Sequence, residues 1–568
     1  MADFDITPED FALLDKLSPV IAGRKEPLPP PTLCPLCRQQ RRWAVRNERH
    51  LYKRTCDHTG QEIISLYAPD SPHKVFKEDV WWSDAWDGLD YGRPFDFSRR
   101  FFGQFHDLRL AVPRRGMQQD GTAENSDYTT FGFGNKNCYL TFACFMCEDV
   151  YYSTGTIAKN SMDCLLCLQG ELLYDCVDCK NCYNCIGSHD CVSCHDSAFL
   201  EDCHNCHHCI GCKGLRNKEY YLYNEPVSPE VFQSSAEALH KGGSLLKEKE
   251  KFNQWRVTLP SRCAHIVQSE DSTGDFLEHA QNCHDCFDIL LGAQDCRHCQ
   301  FSGWKGKDMM DCSMSGKESE LLYEMHATVT SQRCAFTSFC KLCENVLYCD
   351  SISNCTHCFG CIGLKHKKFC ILNTQYTEQE YNDLVPRIIE HMRKTPLRSA
   401  DGSSQLRQGY DGQAAGQEWG ENVPISLSPF AYNETVAQEH FPLRREEATT
   451  NGWRWKDVDQ QDFRPQTYRV PEDIGDMPDS ITKETIACDS CGKNFRIIAQ
   501  ELAFYRRMRL PVPGTCHDCR HRDRRLLRKP YRLWDRACAK CGQAVRTGYA
   551  PDRPEIIYCE SCYLQSVY

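Results

Sequence analysis

The chain has 568 residues, 40 of them cysteine, and a formal net charge of -11. That length asks for several domains, and no apolar run reaches the span of a bilayer, which excludes a membrane-spanning protein. The opening stretch to Gly23 is acidic and amphipathic rather than basic and apolar; it predicts a reducing cytosol, where clustered cysteines are metal ligands or buried thiols and not a disulfide scaffold.

Residues 1–30 read as a helix and lead-in, with Thr7-Pro8-Glu9-Asp10 as its N-terminal cap. Residues 31–125 are a worn copy of the chain's own end, because a shift of 482 positions aligns Cys34 to Pro72 with Cys516 to Pro554 without a gap. Cys34, Cys37, Cys56 and the Tyr67-Ala68-Pro69-Asp70 string all meet their own kind, while Thr59, Lys77 and Val80 stand where the later copy has Cys541, Cys559 and Cys562. Three thiolates and an imidazole are a usual structural zinc set, so Cys34, Cys37 and Cys56, with His58 or His50 as the fourth ligand, are the candidates for an N-terminal zinc. The aromatics from Trp81 to Phe105 read as core and docking surface.

Residues 126–245 and 246–392 form a tandem pair, since a shift of 149 aligns 170–224 with 319–373. Inside each copy, Cys-x2-Cys pairs recur every 12 to 16 residues in places, which suits the rungs of a solenoid. Runs such as Cys176-x2-Cys179-x2-Cys182-x2-Cys185 and Cys203-x2-Cys206-x2-Cys209-x2-Cys212 invite an iron–sulfur reading, but lack the final three-residue gap and proline of the ferredoxin pattern. Cys176 aligns with Met325 and Cys203 with Ile352, and a position that accepts such residues behaves as core, where cysteine packs as a small hydrophobe. Zinc between rungs remains open for pairs kept in both copies, such as Cys191/Cys194 with Cys340/Cys343.

Residues 393–417 read as a Ser/Gly/Gln-rich linker and 418–484 as an irregular strap. The end carries four Cys-x2-Cys pairs, Cys488/Cys491, Cys516/Cys519, Cys538/Cys541 and Cys559/Cys562. Two such knuckles close one four-sulfur shell, so residues 485–530 and 531–568 each predict one Zn2+ site. Between Arg506 and Arg536 lie eleven Lys and Arg. Arg520, Arg522, Arg524, Arg525, Arg528, Lys529 and Arg532 wrap a short helix, and Arg38, Arg41, Arg42 and Arg46 repeat them in the worn copy. These cations fit phosphates of RNA or the ribosome; the competing reading pairs them with carboxylates of the chain itself or of an acidic protein partner. No Walker loop, dinucleotide fingerprint or nucleophile elbow occurs, and no catalytic residue is predicted.

The stretch Ile486 to Arg525, with Cys488-Asp-Ser-Cys491, Phe495, Glu501, Pro513 and Cys516-His-Asp-Cys519-Arg520, resembles the family called "probable zinc-ribbon domain", of the treble-clef type. Cys538 to Cys562 resembles the bacterial domain named for its CxxC-x17-CxxC spacing. Over its whole length, with Arg46-Asn47-Glu48, Trp81-Trp82-Ser83-Asp84 and Ser428-Pro429-Phe430-Ala431-Tyr432-Asn433-Glu434-Thr435, the chain resembles a cysteine-rich family of candidate-phyla bacteria. The resemblance implies zinc and architecture but no activity. The expected fold is mixed and mainly β: tandem β-solenoid-like repeats flanked by treble-clef or ribbon modules. The expected function is a zinc-binding scaffold or adaptor touching RNA or the ribosome, against a protein-docking solenoid or an iron–sulfur or redox enzyme.

Overall fold

The computed structural model describes residues 4–119, 121–155, 157–165, 170–171, 185–241, 244–396, 417–457, 463–466, 468–471 and 473–567. The Cys176–Cys182 part of the first cysteine run and most of the 393–417 linker lie outside them. The fold is mixed α/β with several sheets, none a closed barrel. Helix at 26% nearly equals strand at 27%, so the expectation of a mainly β protein gives way to an even mixture.

Two families of parallel strands make the body. In the second lobe Ala280–His284, Ala293–Arg297, Gly306–Met310, Glu320–Tyr323, Gln332–Ala335, Glu344–Leu347, Thr356–Phe359 and Lys368–Ile371 follow one another in a single sheet. Cys283 lies beside Cys296, Cys296 beside Met309, Met309 beside Leu322, and Leu322 beside Cys334. A second ladder runs through Gln300, Ser313, His326, Ser338, Asp350 and Ile362. Each 12- or 13-residue rung is therefore paired to the next along more than one of its sides. The first lobe repeats this with Cys185–Ile186, Ser197–Ala198, His207–Ile210 and Glu219–Leu222.

The sides of a rung are three residues long. Left-handed φ recurs at every third position, as at Asp190, Ser193, Asp196, Phe199, Asp202, Asn205 and His208, and again at Asn282, Asp285 and Asp288. The residue after each corner points inward, which is why Cys191, Cys194, Cys203, Cys206 and Cys209 are buried at x2 spacing. A left-handed corner costs a non-glycine residue about 1–2 kcal/mol. Asn and Asp tolerate it best, and here they occupy many of the corners; parallel hydrogen bonding and a close-packed interior offset the rest.

Helices cover the lobes. Thr7 and Asp10 form a reciprocal capping box on Pro8–Leu17, and Lys16 of that helix reaches Asp308 at 2.6 Å. Pro8–Leu17, Phe101–Ala111 and Glu378–Lys394 pack on the outer faces of the second lobe in one core that includes Trp81, Phe101, Phe105, Tyr348, Phe359 and Trp419. Pro229–Leu239 and Ser244–Arg256 cover the first lobe together with the Ala499–Met508 helix. Among the described residues no helix is long and apolar enough to cross a membrane.

Candidate metal centres

Each C-terminal cysteine quartet is assembled from a β-hairpin knuckle and a helix start. Ile486–Ala487 pairs antiparallel with Asn494–Phe495, and the turn between them carries Cys488 and Cys491. Cys488 N–H donates to the Lys493 carbonyl at 2.9 Å, and Gly492 N–H donates to the Cys488 carbonyl at 2.9 Å. Gly492 sits at φ 74, the left-handed turn position that glycine takes without strain. Cys516 caps the His517–Leu527 helix and Cys519 lies on its first turn. In the second unit Trp534–Ala537 and Ala544–Thr547 flank Cys538 and Cys541, with Gly542 at φ 76, while Cys559 and Cys562 stand at the start of Glu560–Val567.

In each quartet the four Sγ atoms lie within 4.8 Å of one another, an arrangement that could hold a metal ion. Cys491 and Cys516 stand 3.7 Å apart, as do Cys541 and Cys559. A tetrahedron with metal–sulfur bonds of about 2.3 Å has sulfur–sulfur edges of about 3.8 Å, so the 3.7 Å edge of each quartet is consistent with zinc. Backbone dipoles favour the thiolate form. Cys516 N–H points at Cys488 Sγ from 3.2 Å. Burial pushes the thiols of Cys488 and Cys538 up, but backbone N–H groups of the knuckle and of the helix start outweigh it and bring each down to about 6. Cys491 and Cys541 are exposed, and the other six ligands are buried.

The worn N-terminal copy keeps the scaffold of these units but only some of the ligands, Cys34, Cys37 and Cys56. Tyr52–Thr55 and Glu62–Ser65 form the hairpin, Cys56 N–H donates to the Gln61 carbonyl at 2.8 Å, and Gly60 takes φ 72. Lys77 caps the Glu78–Trp82 helix and its N–H reaches Cys56 Sγ at 3.2 Å, as Cys516 N–H reaches Cys488. Cys34 and Cys37 begin a different helix, Pro35–Trp43, and His58 packs edge-on against Phe76 at 5.2 Å. Among the described residues the metal-capable groups are the two C-terminal quartets, and the expected third set of Cys34, Cys37, Cys56 and His58 does not form one. The reason is topological: Cys34/Cys37 and Cys56 belong to two successive knuckle–helix units.

The central cysteines gather no such compact quartet among the described residues. None of the described cysteines is in a disulfide. Their S–H groups donate to nearby carbonyls, as from Cys296 to Gln294 at 3.2 Å and from Cys203 to Glu201 at 3.5 Å. The Cys203–Cys212 run is one rung seen edge-on.

The flagged cations are mostly turned inward. Arg38 meets Asp311 at 2.7 Å and Arg42 meets the same carboxylate at 3.3 Å. Arg41 bridges Glu324 at 2.8 Å and Glu421 at 2.6 Å, and Arg46 pairs with Glu48 and lies over Phe131. In the C-terminal copy Arg520 and Arg524 converge on Asp163 at 2.8 and 3.1 Å. Arg528 holds Asp288 at 2.8 Å, Lys529 holds Asp275 at 2.5 Å, and Arg525 reaches Glu439. Arg522 and Arg532 are exposed. Asp311 and Asp163 are both fully buried left-handed corners. Equivalent arginines thus tie the N-terminal module to Asp311 of the second lobe and the C-terminal module to Asp163 of the first, while Arg528 and Lys529 also tie the C-terminal module to Asp288 and Asp275 of the second. Sequence reasoning missed these acceptors; the signal available was the acidic corner residue preceding a core cysteine.

Comparison with family models, with curated proteins and with solved structures finds no match to this chain. The likeness to zinc ribbons therefore rests on the cysteine quartets themselves.

Proposed function

We propose that this protein is a zinc-stabilised structural scaffold: a two-lobed β-solenoid, residues 126–245 and 246–392, clamped at both ends by treble-clef modules. The carrying observation is the pair of tetrahedral-sized sulfur quartets, each with two sulfurs 3.7 Å apart. Bound zinc would neutralise the four thiolates in part and tie a hairpin to a helix, letting small modules hold their shape without a large core. The arginines then serve as anchors, because breaking a buried ion pair leaves an uncompensated charge. Contact with RNA or the ribosome would fall to Arg522 and Arg532, the two exposed members of the flagged set, and two cations give only a shallow counterion dependence.

Metal analysis of the purified chain is expected to give about two zinc per molecule, with no visible absorbance of an iron–sulfur cluster. RNA retention is expected to be weak and unchanged in Arg522→Glu/Arg532→Glu. Tight, salt-sensitive RNA retention that the double variant abolishes would replace the scaffold reading with a nucleic-acid one.

A further inference from the structure

The rung interior of the first lobe holds a grid of sulfur that packing alone does not require. Cys203, Cys206, Cys209 and Cys212 fill four successive inward positions of one rung, and Cys191 and Cys194 lie on the rung before it; all six are at most 1% exposed. Cys191 adjoins Cys194 and Cys203, Cys206 adjoins Cys194, Cys203 and Cys209, and Cys209 adjoins Cys212. The second lobe repeats the grid 149 residues on as Cys340, Cys343, Cys355, Cys358 and Cys361, with Ile352 in the sixth place. There Cys340 adjoins Cys343, and Cys358 adjoins Cys355 and Cys361. Five of the six block positions keep cysteine in both copies, as do Cys185 and Cys334 outside it, whereas Cys176 faces Met325 and Leu200 faces Cys349.

The surroundings select the ion. Leu200, Val150, Ala158 and Leu215 pack around the first grid, and a tetrathiolate around a divalent ion would leave two uncompensated negative charges in that apolar interior. The sulfurs are also neighbour to neighbour, without the mutual closeness of the C-terminal quartets, which disfavours a tetrahedral ion. A soft monovalent ion meets neither obstacle. It accepts two or three sulfurs, and thiolates that bridge successive ions suit a grid in which most sulfurs have two or three sulfur neighbours.

We propose that the two thiol grids are copper(I) sites, each taking up several ions as a thiolate-bridged cluster. Uptake exchanges like charge for like charge: n Cu+ and n Cys–SH give n Cu–S–Cys units and n H+. S–H bonds break, Cu–S bonds form, the protons leave to solvent, and copper keeps its oxidation state, so no oxidant or reductant is consumed. The inference does not rest on the zinc reading.

The test titrates the full-length, zinc-loaded chain with the Cu(I)–bicinchoninate complex in the absence of oxygen, and counts copper and zinc separately after desalting. The expected result is about four or more Cu(I) per chain with zinc retained, sulfur-to-copper charge-transfer absorbance, and a sulfur-only shell in X-ray absorption. Cys206→Val/Cys209→Val/Cys355→Val/Cys358→Val is expected to cut the uptake to half or less. Copper uptake matched by zinc release, or no uptake beyond it, overturns the proposal in the unaltered chain whether or not the variant folds; undiminished uptake by a folded variant overturns it equally. A Cys488→Ser/Cys538→Ser chain separates the two metals, since it is expected to lose zinc and keep copper.

Discussion

At the scale of single residues, two buried aspartates each take two arginines from a terminal module. Asp163 is fully buried and accepts from both Arg520 and Arg524. Asp163→Asn would leave two guanidinium groups in a dry interface, and removing one member of a buried ion pair costs about 3–5 kcal/mol. We expect a lowered urea midpoint with zinc content unchanged, and a smaller drop from Asp311→Asn, where Arg38 and Arg42 keep Glu324 at 3.9 and 3.5 Å. Buried histidines add a pH response. Burial, and then the charges of Arg46 and Arg42, hold His326 well below the usual imidazole range, and burial brings His440 down to about 3. The unfolded chain binds these protons first, so stability falls as the pH drops below about 6.5, by about 1.4 kcal/mol per pH unit for each such histidine. Glu201 acts lower on the scale. Burial raises it, but the charges of Lys213 and Arg256 outweigh that and hold it at about 2, so its contribution is complete above its unfolded value near ~4.3 and is lost as the pH falls toward 2. Stability curves between pH 8 and 4 that stay flat would refute the histidine account.

At the scale of elements, the same hairpin-and-helix unit occurs with and without its ligands. Cys56 retains the knuckle hydrogen bonds and the approach of Lys77 N–H, yet Thr59, Lys77 and Val80 fill the other corners. Structural zinc in small modules supplies on the order of 10 kcal/mol of folding free energy. A strong chelator should therefore open 485–567 to protease while leaving the 52–82 unit protected, and mass analysis of the fragments would tell the ends apart. Equal cleavage at both ends would contradict the assignment. This contrast also marks what the sequence could convey. The quartets were legible because x2 spacing in a knuckle obeys metal geometry, and the 12-to-16-residue recurrence lies near the 12- or 13-residue step between paired parallel strands. The identical x2 spacing in the middle has another origin, the three-residue side of a rung, which two-fold and 3.6-fold periodicities do not describe. Asp190-Cys191, Asp202-Cys203, Asn205-Cys206 and Asn282-Cys283 held the clue, since Asn and Asp accept the left-handed corner. That the arginines turn to carboxylates of the chain itself was one of the two readings the sequence offered; which carboxylates was not legible, because Asp163, Asp288 and Asp311 lie hundreds of residues away and are ordinary corner aspartates until the chain is folded.

At the scale of the whole molecule, the module that opens the chain grips the second lobe through Asp311, and the module that closes it grips the first through Asp163 and the second through Asp288 and Asp275. Contacts of such wide sequence separation form late and slowly, so refolding is expected to show a slow phase that Asp163→Asn or Asp311→Asn alters through the unfolding rate more than the folding rate. Because Asp288 and Asp275 of the second lobe also take Arg528 and Lys529 of the closing module, both ends of the polypeptide are fastened to one and the same body.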